Sequence, residues 1–368
     1  MRDGDVVVIG GGYAGVRLAK RLDATARVTL VDRKEVFFHR VASLRAGVHP
    51  EWSMTPFIPY DRLLEHGRMV VGKVVRIDTA ERQVVLATGE RLPYDVVVIA
   101  TGADYPEPAR FTGTTVEEAA KSYAEHQQKI AGAAHVLVVG GGPSGVELAA
   151  EIRLARPDAR VTLAHSGPAL LHSTGSARAG DKARAWLESH DVEVRLDSFI
   201  SPGHDYGTYR DAQGTVLTAD LSFWATGTTP NTLWLRLAGH GDWLNGSGHV
   251  KVDRTLRVEG RSDVFAVGDV NDVSELKITP AALAQADLAA HNIRAHLRAS
   301  ARHRRQPRFY RPIRRTPLIV PFGPADGVTL LPVPGGETAV LGSRTTTLTK
   351  AKTLMTPYMR RQLGYTAA

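Results

Sequence analysis

The stretch Asp5–Asp32, DVVVIGGGYAGVRLAKRLDATARVTLVD, reads as a strand, a glycine-rich turn, a helix and a second strand. Its apolar run predicts a buried parallel strand, and Gly10, Gly12 and Gly15 then form G-x-G-x-x-G where the helix opens. These glycines allow a tight turn and a close approach to a pyrophosphate, which the N–H groups of the helix N-terminus face. Asp32 ends the second strand, where a carboxylate can accept hydrogen bonds from a ribose. The stretch therefore predicts a dinucleotide-binding unit.

The same pattern occurs a second time along the chain. GGGPSG at Gly140–Gly145 follows an apolar run and opens a helix, and DLSFWATG at Asp220–Gly227 mirrors DVVVIATG at Asp95–Gly102. The spacing from the first glycine to the closing ATG is similar in both copies. This internal repeat predicts an α/β fold with two Rossmann-like dinucleotide-binding domains.

Three further segments carry structural signals. VFAVGDV at Val264–Val270 predicts a strand that ends in a Gly-Asp pair, and two β-branched runs within Val70–Leu86, separated by AER, predict a hairpin. Thr279 followed by Pro280 is typical of a helix start, with the threonine as the cap and the proline in the first turn. A long helix is therefore expected after Thr279.

The composition excludes some functions. The 368 residues include no cysteine, so disulfide reduction, thiolate catalysis and cysteine-ligated metals are excluded, and we expect no metal site. No N-terminal signal precedes the first strand and no apolar run has the length of a membrane span, so we expect a cytoplasmic protein.

Basic residues are concentrated near the C-terminus of this chain, whose net charge is +8. Arginines crowd residues 302–315, with Phe309 and Tyr310 among them, which suits nucleic acid, anionic lipid or an acidic partner; an arginine-rich composition is the alternative. The tail Leu348–Tyr365 places apolar residues near helical spacing with lysines and arginines between them, a pattern that can lie in a membrane interface. Pro357 favours a short helix that starts there.

Taken together, the two fingerprints, the two ATG strands and the late Gly-Asp signature resemble the two-dinucleotide-binding flavoproteins, which include glutathione reductase, type II NADH dehydrogenases and apoptosis-inducing factor. FFHRVASLRAGV, GGGPSGVELAAEI, VTLAHS and the terminal LTK look most like the ferroptosis suppressor branch, quinone reductases that use FAD and NAD(P)H. The resemblance implies a discontinuous FAD domain at residues 1–104 and 249–305, an inserted NAD(P)H domain at 105–248, and a C-terminal segment at 306–368 that covers the flavin.

The resemblance also assigns residues to FAD. The helix after Pro280 would aim its N-terminus at the flavin, where the helix dipole stabilises negative charge. The residues expected to contact FAD are Gly10, Gly11, Gly12, Tyr13, Ala14, Gly15, Asp32, Arg45, Val74, Thr101, Gly102 and Asp269.

For NAD(P)H, the resemblance implies pyrophosphate binding by Gly140, Gly142 and Gly145, with Gly227 closing the unit. His165 stands where Asp32 stands in the first copy. Because an acid there would repel a 2′-phosphate, His165 permits both NADPH and NADH.

The resemblance also implies residues near the reacting groups. Glu147 would lie beside the nicotinamide, with a helix-dipole carboxylate as the alternative. Lys350 and His39 would lie near the flavin and are candidates for protonating a quinol, with a surface lysine and a loop histidine as the alternatives. Met355 falls where the branch has an apolar residue at the acceptor entrance, with packing in the core as the alternative.

The predicted function is transfer of hydride from NAD(P)H to FAD and of two electrons to a quinone. Peripheral contact with the inner face of a membrane is part of this expectation. Reduction of a small carrier protein, such as ferredoxin or rubredoxin, or of a specialised aromatic metabolite is the enzymatic alternative. A nucleic-acid-binding flavoprotein like apoptosis-inducing factor is the alternative of another class, and nucleic acid is the less favoured partner. The oligomeric state, monomer or homodimer, is left open.

Overall fold

The structure, a computed structural model, describes residues 3–298, 306–315 and 317–366. Its first part contains the first fingerprint and the elements that follow it. In chain order these strands and helices are β1 (Asp5–Ile9), α1 (Tyr13–Leu22), β2 (Arg27–Asp32), β3 (Val36–Phe38), α2 (Arg40–Ala46), β4 (Phe57–Pro59), β5 (Arg68–Val71), β6 (Val74–Asp78), β7 (Gln83–Leu86), β8 (Arg91–Pro93), β9 (Val96–Ile99) and β10 (Ala103–Asp104).

Around β1 the chain forms a parallel sheet. Val8 of β1 stands opposite Leu30 of β2 on one side and Val98 of β9 on the other. These side chains are fully buried, as expected for strands that are covered on both faces. The predicted hairpin is present as β6 and β7, which pair from Asp78 and Gln83 onward.

The middle of the chain repeats this arrangement. Its elements are α3 (Val116–Gly132), β11 (His135–Val139), α4 (Pro143–Ala155), β12 (Arg160–Ala164), α5 (Ala177–Ser189), β13 (Val192–Arg195), β14 (Ser201–Pro202), β15 (Thr208–Arg210), β16 (Val216–Thr218), β17 (Leu221–Trp224) and β18 (Thr229–Pro230). Strand β11 pairs in parallel with β12 and β17, so it takes the place that β1 has in the first sheet.

The last part of the chain returns to the first sheet and then adds a C-terminal segment. Its elements are α6 (Leu233–Leu237), β19 (Val264–Ala266), α7 (Thr279–Leu297), β20 (Leu318–Phe322), β21 (Asp326–Pro332), β22 (Thr338–Leu341), α8 (Ser343–Thr346) and α9 (Thr356–Gln362). A π-helical turn, Thr347–Ala351, continues α8, and short 3₁₀ turns lie at Pro50–Trp52, His172–Thr174, Gly241–Trp243 and Pro334–Gly336.

Strand β19 adds to β9, which gives the first sheet the order β19-β9-β1-β2-β5. The first unit is built on the sheet of β1 and the second unit on the sheet of β11. The chain passes from the first unit to the second after β10 and returns after β18, and these two strands pair in antiparallel fashion. Leu235 and Trp243 pack in the core of the first sheet. Their position favours a return to the first unit near Thr229 rather than at residue 249, and the domain boundaries stay a prediction.

The C-terminal segment packs against both units. Val320 and Phe322 of the antiparallel sheet β20-β21-β22 share a core with Ile152 of α4. Met359 of α9 and Leu363 lie in the core that α1 and α7 form on the first sheet. The segment therefore bridges the two units.

The two parallel sheets confirm the predicted fold class. The long helix α7 and the short helix near Pro357 are present, and α9 begins at Thr356. The cap of α7 differs from the prediction: Ile278 is the N-cap and Thr279 is the first helical residue, so the threonine hydroxyl does not cap the helix. Within the ranges that the structure describes, no helix has both the length and the apolar character needed to cross a membrane.

Arg302, Arg304 and Arg305 lie outside the described residues. In the neighbouring part of the basic segment, Tyr310 is buried and its hydroxyl donates to Glu275 Oε1 at 2.8 Å. Tyr310 is therefore not available to stack on a base.

Candidate active site

A cavity of about 930 Å³ lies where the carboxyl ends of the first sheet's strands meet the second unit and the C-terminal segment. The ends of parallel strands in such folds are where ligands bind. Most of the sequence-predicted site residues line it: Gly10, Gly11, Gly12, Tyr13, Ala14, Asp32, Val74, Thr101, Gly102, Glu147, Asp269, Lys350 and Met355.

Other predicted residues lie outside this lining. They are Gly15, His39, Arg45, Gly140, Gly142, Gly145, His165 and Gly227. The second fingerprint contributes Pro143, Ser144 and Glu147 of α4 to the cavity wall. The cavity thus includes the first fingerprint and the near end of the second.

The first fingerprint has the geometry that close packing and ligand approach require. Gly10 has a φ of +107°, and a Cβ there would lie 2.4 Å from Ala100 O. A Cβ at Gly15 would lie 1.8 Å from Gly10 O, so that glycine allows α1 to pack on β1. At Gly12 a Cβ would meet no atom within 4 Å, and Gly12 lines the cavity. The backbone at Gly12 is therefore open to a ligand, which fits a pyrophosphate.

The second fingerprint repeats this geometry. A Cβ at Gly140 would lie 2.5 Å from Ala225 O, and a Cβ at Gly145 would lie 1.8 Å from Gly140 O. Gly142 again faces open space. Each glycine thus has the same local surroundings in the two copies, and both fingerprints fit a dinucleotide.

Asp32 is buried at the end of β2 and faces the first fingerprint. Its Oδ2 accepts from Gly11 N at 2.6 Å, and its Oδ1 accepts from Lys34 N at 2.8 Å. Lys34 Nζ also lies 3.4 Å from Oδ1, whereas Oδ2 keeps a lone pair that suits a ribose hydroxyl. Tyr60, which sequence analysis missed, donates to Gly11 O at 2.8 Å, and burial with the nearby Asp32 charge raises its pKa well above the usual value.

A second polar group faces the cavity at Asp269. Tyr105 Oη donates to Asp269 Oδ2 at 2.8 Å, and Arg40 Nη1 lies 3.8 Å from the same oxygen. The Arg40 guanidinium also stacks 3.8 Å above the Tyr105 ring. Both Arg40 and Tyr105 line the cavity. Arg40 lies within FFHRVASLRAGV, but its place beside Asp269 has no signal in the sequence, and no motif includes Tyr105. Gln285 Oε1 accepts from Gly268 N at 2.8 Å and so fixes the turn that presents Asp269.

The N-terminus of α7 reaches the same cavity. Ile278, Thr279 and Pro280 line it. The free N–H groups of the first turn and the helix dipole favour a negative group there. The helix N-terminus therefore faces the cavity, and its contact with a flavin stays a prediction.

Glu147 and Lys350 form an ion pair on the cavity wall. Lys350 Nζ lies 2.8 Å from Glu147 Oε1 and also donates to Ile319 O at 3.0 Å. Burial raises the pKa of the Glu147 carboxyl, and the Lys350 ammonium offsets part of that rise. Lys350 is therefore not a solvated surface lysine. Glu147 is stabilised by the Lys350 ammonium and not by the helix dipole alone.

His39 is buried and hydrogen-bonded at both ring nitrogens. Its Nδ1 lies 2.9 Å from Tyr13 Oη, and its Nε2 lies 2.8 Å from Leu354 O. Since a carbonyl only accepts, Nε2 carries the proton and Nδ1 accepts from the tyrosine. Burial lowers the pKa of His39 to about 4. His39 is thus neutral and fully partnered, unlike a free proton donor that faces an acceptor.

Arg45 departs from the expectation that it contacts FAD. Its Nε lies 2.8 Å from Glu151 Oε1, and its Nη1 donates to Ala351 O at 2.7 Å. The guanidinium is buried between α2, α4 and the C-terminal segment.

His165 follows β12, as Asp32 ends β2. Its ring packs so closely on Gly141 that a Cβ at that glycine would lie 2.7 Å from His165 Cγ. Burial and the neighbouring His172 lower the pKa of His165. The imidazole is therefore held beside the second fingerprint.

The chain thus has two nucleotide fingerprints on two Rossmann-like units, and the helix of the second fingerprint reaches the cavity of the first through Glu147, which pairs with Lys350. These features define a flavoprotein oxidoreductase. The chain belongs to the pyridine nucleotide-disulphide oxidoreductase family, which it matches over residues 4–286. FAD and NAD(P)H, the predicted cofactors, are those of this family.

Individual relatives agree with this assignment. The chain is 32% identical to apoptosis-inducing factor homolog B of Dictyostelium discoideum, over 95% of this chain and 94% of the relative. It is 34% identical to ferroptosis suppressor protein 1 of Homo sapiens, over 78% of this chain and 79% of the relative. The fold is similar to that of the sulfide:quinone oxidoreductase of Aquifex aeolicus, with a TM-score of 0.78, 19% identity, and coverage of 98% of this chain and 91% of that one.

Proposed function

We propose that this protein is an FAD-dependent NAD(P)H oxidoreductase that passes two electrons to a quinone. One observation carries the proposal: a single cavity is lined by the first fingerprint, by Glu147 of the second unit, and by an apolar C-terminal wall beside Lys350. When bound, FAD supplies the acceptance of hydride from NAD(P)H and the transfer of two electrons to the acceptor.

In this proposal the first unit holds FAD. The Gly10–Gly15 turn and the N-terminus of α1 bind the pyrophosphate, and Asp32 binds the adenosine ribose. Asp269, with Tyr105 donating to it, orients the remaining polar part of the cofactor. Val74, Thr101 and Gly102 also line the cavity.

The second unit holds NAD(P)H. Gly140, Gly142 and Gly145 bind its pyrophosphate at the N-terminus of α4. Gly227 follows β17, the strand that pairs with β11. His165, without a carboxylate at that position, admits a 2′-phosphate. Glu147, on the same helix, orients the nicotinamide at the cavity wall.

The acceptor binds on the C-terminal side. Leu318, Ile319 and Met355 give this wall an apolar character, and Lys350 places an ammonium group among them. Apolar lining with a few placed polar groups suits a planar ring with polar oxygens. Lys350 can donate a proton to a quinol oxygen, whereas His39 has both nitrogens engaged. The relationship with ferroptosis suppressor protein supports a quinone.

The test is anaerobic stopped-flow on the purified flavoprotein, following flavin absorbance with NADH or NADPH and then with a short-chain quinone, ferredoxin or air. Fast reduction followed by fast reoxidation with the quinone alone is expected. Fast reduction with slow reoxidation by the quinone would overturn the acceptor and favour a carrier protein or an aromatic metabolite. A protein without flavin would overturn the whole proposal.

Peripheral membrane contact is a separate part of the proposal. Leu348 is 88% exposed, and Arg360 and Arg361 are exposed on α9 nearby in sequence. Apolar and basic groups together favour an anionic lipid surface. Flotation with vesicles that contain anionic lipid tests it, with an Arg360→Glu, Arg361→Glu variant for comparison. Equal flotation of the two proteins would show that the arginines of α9 do not contribute to membrane binding.

A further inference from the structure

Helix α4 carries two buried carboxylates one turn apart. Glu147 and Glu151 occupy positions i and i+4, so they lie on the same face of the helix. Glu147 lines the cavity, and Glu151, only 3% exposed, lies behind it. Glu147 belongs to the proposed nicotinamide site, whereas Glu151 contacts neither proposed ligand.

Two basic side chains of the first unit, those of Arg45 and His49, lie against the Glu151 carboxylate. Arg45 Nε and Nη2 lie 2.8 and 2.7 Å from Glu151 Oε1, and His49 Nε2 lies 3.1 Å from Oε2. The Arg45 guanidinium stacks 4.7 Å from the centre of the Trp52 ring. The Arg45 and Glu151 side chains are 3% and 4% exposed, so this pair is shielded from water and salt.

The same guanidinium reaches the C-terminal segment. Its Nη1 donates to Ala351 O at 2.7 Å, and Ala351 follows Lys350 directly. Ala351 is the last residue of the π-helical turn, and the last carbonyls of a helix lack partners within it. Arg45 supplies the partner that Ala351 would otherwise miss.

Two adjacent residues of the C-terminal segment, Lys350 and Ala351, are therefore bound to carboxylates on one face of α4. Lys350 binds Glu147 directly, and Ala351 binds Glu151 through Arg45. A buried ion pair is by itself a poor source of stability, since apolar residues of similar volume often serve as well. An apolar pair, however, has no donor for the Ala351 carbonyl.

We propose that Arg45 and Glu151 are positioning residues that hold the Thr347–Ala351 turn so that the Lys350 ammonium meets Glu147 on the cavity wall. The inference rests on the proposed function only in its consequence for the acceptor, which binds beside Lys350. The fixed position of the amine is a property of the chain itself and can be measured without an acceptor.

The experiment measures how fast a limiting amine-acylating reagent labels Lys350 in the full-length FAD-loaded protein, read by mass spectrometry relative to Lys352. Lys352 is exposed and lies two residues away, so it serves as the internal reference. The variants are Arg45→Met, Arg45→Lys and the double variant Arg45→Met, Glu151→Leu. The double variant removes both charges of the pair, and it replaces Arg45→Met in the comparison if that single variant folds poorly. Glu147→Gln shows the labelling of an amine released from its carboxylate.

Arg184→Met is the matched control, because Arg184 pairs with Glu188 on the exposed face of α5. Loss of Arg45 should raise the labelling of Lys350 relative to Lys352 about tenfold, toward the level of Glu147→Gln. Arg45→Lys, which can pair with Glu151 or with Ala351 O, should fall between, and Arg184→Met should match the wild type.

A second readout separates positioning from general stability. Loss of Arg45 should raise the KM for the quinone more than it lowers kcat, at unchanged FAD content. Wild-type labelling in an FAD-replete Arg45→Met or double variant would overturn the inference. If the wild type fails to reduce quinones, the proposed function fails, while the labelling result still decides the role of Arg45.

Discussion

Lys350 Nζ lies 2.8 Å from Glu147 Oε1, although the two residues are 203 positions apart in the chain. Glu147 belongs to the helix that opens the second fingerprint, and Lys350 belongs to the C-terminal segment. Their side chains are only 11% and 13% exposed. The pair thus joins the helix of the second fingerprint to the C-terminal segment at the cavity wall, and each partner has a proposed role that substitution can test.

Glu147→Gln should slow flavin reduction by NAD(P)H about tenfold to a hundredfold, because the amide keeps the shape of the carboxyl and loses a charge-assisted hydrogen bond. Stopped-flow absorbance of the flavin measures this rate directly. Glu188→Gln removes an exposed carboxylate on α5 and should leave the rate unchanged. Equal rates in Glu147→Gln and the wild type would exclude Glu147 from the nicotinamide site.

Gly12 and Gly15 should respond differently to alanine. In Gly12→Ala the new methyl group projects into open cavity space, so the fold should persist while the Kd for FAD rises about tenfold. In Gly15→Ala the methyl group would lie 1.8 Å from Gly10 O, so stability should fall by more than about 4 kcal/mol. Flavin titration of the apoprotein and thermal unfolding distinguish the two. Similar FAD affinity in Gly12→Ala and the wild type would contradict pyrophosphate binding at this turn.

The second fingerprint offers a test of coenzyme preference. His165→Asp places a carboxylate at the position of Asp32 in the first copy, and its charge would repel a 2′-phosphate. We expect kcat/KM for NADPH to fall about tenfold or more, while the value for NADH stays constant or rises. Steady-state kinetics with both coenzymes give the ratio. A variant that loses both activities equally would show that His165 supports the fold rather than the choice of coenzyme.

The fold and the fingerprint geometry could be predicted because their signals are local. Gly10, Gly15 and the apolar run before them lie within one short segment, and the same segment pattern recurs at Gly140 and Gly145. At each of these four glycines a Cβ would collide with a nearby backbone oxygen. A pattern of this kind is read from spacing alone.

The connections between distant segments could not be read in this way. The hydrogen bond between His39 Nε2 and Leu354 O joins residues 315 positions apart, and the sequence has no signal for it. Arg40 and Tyr105 are likewise placed around Asp269 by the path of the chain. The resemblance implies that Arg45 contacts FAD and that His39 lies near the flavin, and both remain predictions. The contacts of these two residues with the C-terminal segment have no signal in the sequence.

His39 gives the last prediction, a dependence of stability on pH. Burial holds the pKa of the native imidazole at about 4, against a usual value of 6.5 in the unfolded chain. Between these values the unfolded state binds more protons than the native state, so the free energy of unfolding rises with pH. The stabilisation is fully present above about pH 6.5 and is lost as the pH falls toward 4.

His39→Gln removes this titration, because the amide can donate to Leu354 O and accept from Tyr13 Oη without a proton to gain. The unfolding free energy of the wild type minus that of the variant should therefore rise by about 3 kcal/mol from pH 4 to pH 7. Urea unfolding of both proteins at several pH values measures the difference and cancels the titration of the other groups. A difference that stays constant with pH would mean that His39 keeps its usual pKa, and the neutral imidazole between Tyr13 and the C-terminal segment would have to be abandoned.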